Sequence, residues 1–183
     1  MNQQKELDKI AKEIESCKEC KKDSIGVAVP GEGNPNADIV FIGEAPGKQE
    51  AKTGRPFIGR SGKLLRSLIE QVGLKDEDVY ITSPVKYLPE RGTPSKQQIA
   101  HGKKYLDRQL DIINPKIIVL LGKVACLAVL NEDVPIAKMH GQILKRDGKQ
   151  YVVEYHPAAA LRFQKIRKVF LEDFKKLVDI VRS

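Results

Sequence analysis

The sequence predicts an α/β fold in which helices cover both faces of a four-stranded parallel sheet. Four short apolar segments have the length and composition of buried strands, and stretches with helical periodicity separate them. Strands that alternate with helices form parallel βαβ units, which place helices on both faces of the sheet. A chain of 183 residues without an internal repeat or a linker suits one domain, so we expect residues 1–183 to fold as a single unit.

The elements are predicted in order along the chain. Leu7, Ile10 and Ile14 mark one face of an N-terminal helix. Strands are expected at 38–43, 79–82, 116–122 and 151–155. Further helices are expected at 64–72 before Gly73, from a capping box at 95–98 to Asn114, from 123 onward, and at 163–181.

The chain is basic, with 32 Lys and Arg against 24 Asp and Glu and a formal net charge of +8. This balance favours a polyanionic partner, either nucleic acid or an anionic membrane surface. No apolar run approaches the roughly 18 residues of a spanning helix, and the charged N-terminal segment lacks the apolar core of a signal peptide. We therefore expect a cytoplasmic protein that does not enter a membrane.

Four loops follow the carboxyl ends of the predicted strands. In parallel α/β sheets, ligands bind beyond these ends. The loops are 43–47, 83–86, 122–123 and 156–157. Pattern alone therefore places the functional residues there.

Three features in or beside these loops have side chains or backbone suited to a planar ligand. The glycines of the 43–47 turn permit close approach of the backbone to a ligand, although a plain βα turn is the alternative. Phe57, in a loop bounded by glycine and proline, can stack on a nucleobase or fold into the core. His156, before a proline, can donate to a ligand carbonyl oxygen or cap a helix.

The cysteines form a weaker pattern. Cys17 and Cys20 have metal-ligand spacing, but one pair does not complete a tetrahedral site. A redox pair is the alternative, although such a motif usually lies between a strand and a helix. Cys126 is expected to be a buried apolar residue, and His101 and His140 are expected at the surface.

Several motifs, in their order and spacing, resemble the uracil-DNA glycosylase superfamily, most closely its iron–sulfur branch, family 4. They occupy 17–20, 31–35, 43–47, 54–59, 61–65, 81–86, 115–122 and 156–162. The resemblance implies a three-layer α/β/α sandwich around a four-stranded parallel sheet. It also implies a base-excision repair enzyme that flips deoxyuridine out of DNA and hydrolyses its N-glycosidic bond, which releases uracil and leaves an abasic site. The expected partner is uracil-containing DNA, and we expect a monomer.

The resemblance also implies roles for individual residues. Glu44 and His156 are the expected catalytic residues: a neutral His156 donates to uracil O2, whereas Glu44 either orients water or holds the turn. The expected uracil site comprises Gly43, Ala45, Gly47, Phe57, Ser83 and His156. Contacts with DNA are expected from Lys86, Arg91, Ala158 and Arg162, and the loop at 158–162 is expected to enter the minor groove beside the extruded nucleotide.

The chain departs from the family pattern at three places. Ser83 replaces an asparagine that reads the base edge, so a glycosylase for hypoxanthine or xanthine is an alternative. Ala158 replaces a serine, which removes one possible phosphate contact. Tyr87 and Gly102 replace two of the four cluster cysteines.

These cysteine replacements leave the metal site open. The family implies a 4Fe–4S cluster, but four thiolates normally hold one. We therefore expect no cofactor, with packing of Tyr87 in place of the cluster. Cys17 and Cys20 could instead bind zinc with His101, form a disulfide or simply pack. A catalytically weak DNA-binding protein and a thiol redox protein are the remaining functional alternatives.

Overall fold

The computed structural model describes residues 2–182, with side chains described up to Leu177. The helices are α1 Gln3–Ser16, α2 Lys18–Lys21, α3 Glu50–Thr53, α4 Arg60–Gln71, α5 Lys96–Ile113, α6 Lys123–Leu130, α7 Ile136–Met139, α8 Pro157–Arg162 and α9 Gln164–Arg182. The strands are β1 Ser24–Ile25, β2 Glu32–Gly33, β3 Ile39–Ile42, β4 Val79–Thr82, β5 Leu88–Pro89, β6 Ile117–Leu121, β7 Ile143–Arg146 and β8 Lys149–Glu154. Among residues 2–182, no helix is both long enough and apolar enough to cross a membrane.

The main sheet has the strand order β2-β4-β3-β6-β8-β7. Its four central strands are parallel, and Phe41 of β3 lies opposite Ile81 of β4 and Val119 of β6. The prediction of a parallel four-stranded sheet is therefore confirmed for the centre. The edge strands β2 and β7, which pair antiparallel to their neighbours, were not predicted. A separate two-stranded sheet joins β1 to β5.

Two apolar layers hold helices on opposite faces of this sheet. The central strands β3, β4 and β6 are buried at every position, as parallel strands covered on both sides are. Val40 and Ile42 pack with residues of α1, α5 and α6 on one face. Ile39 and Phe41 pack with residues of α4, α8 and α9 on the other. The chain is thus the expected α/β/α sandwich.

The helix ends follow local sequence chemistry. Ser95 and Gln98 form the predicted capping box of α5, and the helix ends at Asn114 in the left-handed conformation. The final helix also matches its prediction, although the side chain of Val181 lies outside those described. The 158–162 segment, expected as a loop, is instead the short helix α8, with His156 as N-cap and Pro157 at its first position.

Candidate active site

A cavity of about 330 Å³ opens at the carboxyl ends of the parallel strands. Its volume lies within the range typical of small-molecule sites, about 300–1,000 Å³. Three of the four predicted loops contribute to its wall. The lining residues are Val29, Glu44, Ala45, Pro46, Gly47, Lys48, Glu50, Pro56, Phe57, Ser61, Ser83, Leu88, Gly92, His156 and Ala158.

The turn after β3 supplies one wall of the cavity. Glu44, Ala45 and Gly47 line it, as predicted for a ligand-binding turn. Gly43 lies behind the Phe57 ring instead, since a Cβ at Gly43 would be 2.5 Å from Phe57 Cζ. The absence of a side chain at Gly43 therefore makes room for the aromatic ring.

Phe57 lines the cavity beside His156, and their ring centroids are 5.9 Å apart at an interplanar angle of 34°. Its backbone is left-handed, with φ at 51°, a conformation that bulky residues rarely adopt. Gly62 packs directly beneath, because a Cβ there would lie 2.0 Å from the Phe57 carbonyl carbon. Close packing thus fixes Phe57 in an unusual conformation at the cavity wall.

Two charged side chains that sequence analysis missed hold the Phe57 loop. Glu50 is buried, and its Oε1 accepts hydrogen bonds from the backbone N–H groups of Ile58 at 2.8 Å and Gly59 at 2.7 Å. Arg66 donates to the carbonyl oxygens of Pro56 at 2.9 Å and Phe57 at 3.0 Å. Neither residue lies at a strand end, so no sequence pattern marked them.

His156 combines burial with a hydrogen bond that fixes its tautomer. Its Nδ1 accepts from the backbone N–H of Ala158 at 3.2 Å, so a neutral ring carries its proton on Nε2. Burial lowers the pKa of His156 to about 4. The imidazole is therefore neutral near pH 7, with Nε2–H left to donate.

Glu44 and Ser83 are the other polar groups predicted at the site that line the cavity. Burial raises the pKa of Glu44 above its ordinary value. The Ser83 hydroxyl is buried and donates to the carbonyl oxygen of Val85 at 2.8 Å. Because its proton is engaged, the Ser83 oxygen is left as an acceptor.

The predicted contact between Lys86 and DNA is wrong. Lys86 is only 2% exposed, and its Nζ donates to Gln109 Oε1 at 2.7 Å, Thr82 Oγ1 at 2.8 Å and the Pro30 carbonyl oxygen at 3.1 Å. Burial lowers the pKa of this ammonium group to about 7. Lys86 therefore ties the loop after β4 to α5 and does not reach a phosphate.

A second, open groove of about 570 Å³ shares five lining residues with the cavity: Gly47, Lys48, Glu50, Ser61 and Ala158. Lys48, Arg60 and Arg162 line it, so the structure brings together cations from three separate segments. Arg91 is exposed on a different depression, formed by the turn that precedes α5.

Exposed apolar side chains also occur in the groove and just beyond α8. Leu161, which lines the groove, is 39% exposed, and Phe163, just beyond α8, is 53% exposed. Leu161 lies in the segment that was expected to enter the minor groove but was not singled out, and Phe163 was assigned to the apolar face of the last helix.

Away from the cavity, Cys17, Cys20 and His101 bring their ligand atoms within 4.8 Å of one another. Cys17 Sγ lies 3.2 Å from His101 Nε2 and accepts from the Cys20 backbone N–H at 3.3 Å. Burial opposes ionisation of Cys17, but hydrogen bonds from Tyr105, the Cys20 backbone and His101 lower its pKa to about 6. The expectation that His101 lies at the surface is therefore wrong, since it is partly buried beside Cys17.

The other residues considered for this region pack into the protein. Tyr87 is buried, and its hydroxyl donates to the Ile14 carbonyl oxygen at 3.3 Å. Cys126 is buried in the core, as predicted. His140, expected at the surface, is partly buried, with Nδ1 2.6 Å from Asp173 Oδ2.

Comparison with known proteins identifies the family. The family model of the uracil DNA glycosylase superfamily matches residues 30–178. The chain is 43% identical to the type-4 uracil-DNA glycosylase of Sulfurisphaera tokodaii, over 95% of this chain and 84% of that protein. It is 39% identical to the type-4 uracil-DNA glycosylase of Archaeoglobus fulgidus, over 95% of this chain and 92% of that protein. The chain therefore belongs to the uracil-DNA glycosylase superfamily, and these relatives are of type 4.

Proposed function

We propose that this protein is a monofunctional DNA repair glycosylase that releases uracil from DNA and leaves an abasic site. The observation that carries the proposal is the pairing of a neutral His156, with its proton on Nε2, and the Phe57 ring in one cavity. The names of the type-4 relatives support the same activity.

The cavity suits a base that has been flipped out of the duplex. Its volume of about 330 Å³ is large enough for a base, and Phe57 lines it. Stacking of a base on an aromatic side chain contributes about 1–3 kcal/mol, which offsets part of the cost of unstacking the base from DNA. Phe57 is thus the residue that we assign to base stacking.

His156 acts where negative charge develops. As the bond between N1 and C1′ breaks, its electron pair leaves with uracil, and part of the charge resides on O2. The protein holds a neutral Nε2–H donor in place, and its hydrogen bond stabilises this anion without any change in the protonation state of His156. One such donor contributes roughly 3 kcal/mol, or about a hundredfold in rate.

Glu44 is the acidic residue that we assign to the attacking water. The water oxygen bonds to C1′ as the N1–C1′ bond breaks, and one water proton passes to the Glu44 carboxylate, which later releases it to the uracil anion or to solvent. Although burial raises its pKa, an ionised Glu44 orients this water and offsets the positive charge that develops on the sugar. Gly47 and Ala45 line the same wall, where their backbone contacts the base or the water.

The groove next to the cavity provides a path for the DNA backbone. Lys48, Arg60 and Arg162 line it, and cations at such positions neutralise phosphates. Leu161 lines this path, and Phe163 is exposed two residues further along the chain. Apolar side chains of this kind insert between bases and fill the space that a displaced nucleotide leaves.

Ser83 supports a second candidate substrate. Its oxygen, left as an acceptor, can take a hydrogen bond from an N–H of the base edge. Uracil has such an N–H between two carbonyl groups, whereas cytosine has an acceptor nitrogen at that position. Hypoxanthine also presents an N–H beside a carbonyl, so Ser83 does not reject it by hydrogen bonding alone.

A panel of oligonucleotides tests the proposal. One duplex sequence is prepared with uracil, hypoxanthine, xanthine or thymine at the same position, and base release is followed under single-turnover conditions. We expect uracil to be released fastest, with the strand intact until alkali cleaves the abasic site. Faster release of hypoxanthine would favour the second candidate, and no release by folded protein would contradict both.

A further inference from the structure

Three side chains from two helical segments converge outside the active site. Cys17 and Cys20 flank or belong to α2, and His101 lies on α5. Their ligand atoms lie within 4.8 Å of one another, a spacing that one metal ion can bridge. We propose that Cys17, Cys20 and His101 bind a single Zn²⁺ ion.

The four-iron cluster implied by the family resemblance does not fit these residues. Four thiolates normally hold such a cluster, and among the described residues two thiols and one imidazole converge here. Gly102 leaves no room for a cysteine, because a Cβ there would lie 2.0 Å from the Pro84 carbonyl oxygen. The cavity beside Cys20 and His101 has a volume of about 10 Å³. Without a rearrangement of the surrounding side chains, this space does not hold four irons and four sulfides.

The donor set matches the preference of zinc. Zn²⁺ takes cysteine sulfur and histidine nitrogen together, and two cysteines separated by two residues commonly supply one half of such a site. The backbone N–H of Cys20 already points at Cys17 Sγ, and His101 Nε2 faces the same sulfur. A local disulfide between Cys17 and Cys20 would not involve His101. The position of His101 against Cys17 therefore favours an ion shared by all three residues. Three protein ligands leave the fourth tetrahedral position for water.

Zinc at this site would brace the region behind the active site. It would join the α1–α2 segment to α5, and Gly102 of α5 packs on the loop that follows β4. Ser83 begins that loop and lines the active-site cavity. We therefore expect a stabilising role, with a melting temperature about 5 to 10 °C higher at free zinc near 100 times Kd.

The test measures metal binding and not activity. The full-length protein is purified under reducing conditions, and zinc, iron and acid-labile sulfide are quantified per chain. The metal-free protein is then titrated with Co²⁺, whose absorption reports both thiolate ligation and tetrahedral geometry. Cys17→Ser, Cys20→Ser and His101→Ala are compared with His101→Cys, which restores a ligand, and with Cys126→Ala, which removes the cysteine outside the site.

We expect about one zinc per chain and a thiolate-to-cobalt band in the unmodified protein. The three ligand removals should weaken binding at least about tenfold, whereas Cys126→Ala should not change it and His101→Cys should retain it. About four irons with sulfide would overturn the proposal in favour of a cluster. A cobalt spectrum of the unmodified protein without thiolate bands would also overturn it, whether or not the variants fold. Equal binding by all variants would overturn it too.

Discussion

Phe57 shows how single residues build the site. A left-handed backbone at a bulky residue costs of order 1–3 kcal/mol, so its surroundings must impose it. Arg66 holds its carbonyl oxygen, and Gly62 allows close packing beneath it. Gly43 then leaves space for the ring. The aromatic side chain is held at the cavity wall before any base arrives.

Alanine at the two glycines should separate ring placement from folding. In Gly43→Ala the new methyl group meets the end of the Phe57 ring, which can move. We expect the rate of uracil release to fall about tenfold or more, with little change in melting temperature. In Gly62→Ala the methyl group meets the Phe57 backbone instead, so we expect a lower melting temperature as well. Equal rates for Gly43→Ala and the unmodified protein would show that the ring position is unimportant.

Some residue positions were not predictable from local sequence. His156 was identified because it follows a strand, and Phe57 because it lies in a loop bounded by glycines and proline. Lys86 was expected to contact DNA, but it is buried. Its acceptors include Gln109, a residue of α5 that only the tertiary fold brings close. His101 was misplaced because its orientation depends on how α5 packs against the N-terminal segment.

At the scale of elements, the 54–59 loop depends on Glu50. Glu50→Ala should leave the backbone N–H groups of Ile58 and Gly59 without their acceptor. A buried donor without a partner costs about 1–3 kcal/mol. We expect the melting temperature to fall by several degrees and the rate of uracil release to fall with it. Both are measured by thermal unfolding and single-turnover assay, with exposed Glu70→Ala as the control. Unchanged stability would show that Glu50 does not hold the 54–59 loop.

The elements themselves were more predictable than their edges. The central strands are continuous apolar runs, so composition alone marks them. Strand β2 has two residues, too few to carry a pattern. The β7–β8 hairpin did have a sequence marker, the dipeptide formed by Asp147 and Gly148. Both residues have positive φ values, of 50° and 74°, as an Asp-Gly hairpin turn requires. Helix α8 went unrecognised because it is only six residues long.

At the scale of the whole molecule, Glu154 links stability to pH. It is 2% exposed at the end of β8, and burial, reinforced by Asp173, raises its pKa to about 8 from an ordinary 4.5. Between these values the unfolded chain is ionised at Glu154 while the folded protein keeps its proton. The contribution of Glu154 to stability therefore falls as pH rises from 4.5 through 8.

Glu154→Gln should remove this dependence. Between pH 6.5 and 8, we expect the unfolding free energy of the unmodified protein to fall relative to Glu154→Gln by up to about 2 kcal/mol. Denaturant unfolding of both proteins at each pH measures the difference. This window avoids acid effects of His156, whose lowered pKa makes stability decrease as pH falls from 6.5 towards 4. A constant difference across the window would show that Glu154 does not titrate there.

The charge of +8 should make DNA binding depend on salt. The logarithm of affinity for a duplex that the protein cannot cleave should fall linearly with the logarithm of salt concentration. Arg162→Ala should reduce the slope by about 1, because it removes one phosphate contact. Lys116→Ala is the matched control, since Lys116 precedes β6 at the opposite end of the sheet. An equal change in both variants would contradict the assignment of the groove to DNA.

The central claim is that a neutral His156 stabilises the departing uracil anion. The most direct test is the single-turnover rate of uracil release by His156→Ala, compared with the unmodified protein, with affinity for uncleavable DNA measured alongside. We expect the rate to fall about a hundredfold or more, while DNA affinity changes little, because the donor matters mainly in the transition state. A rate near that of the unmodified protein, in a folded variant that still binds DNA, would contradict the claim.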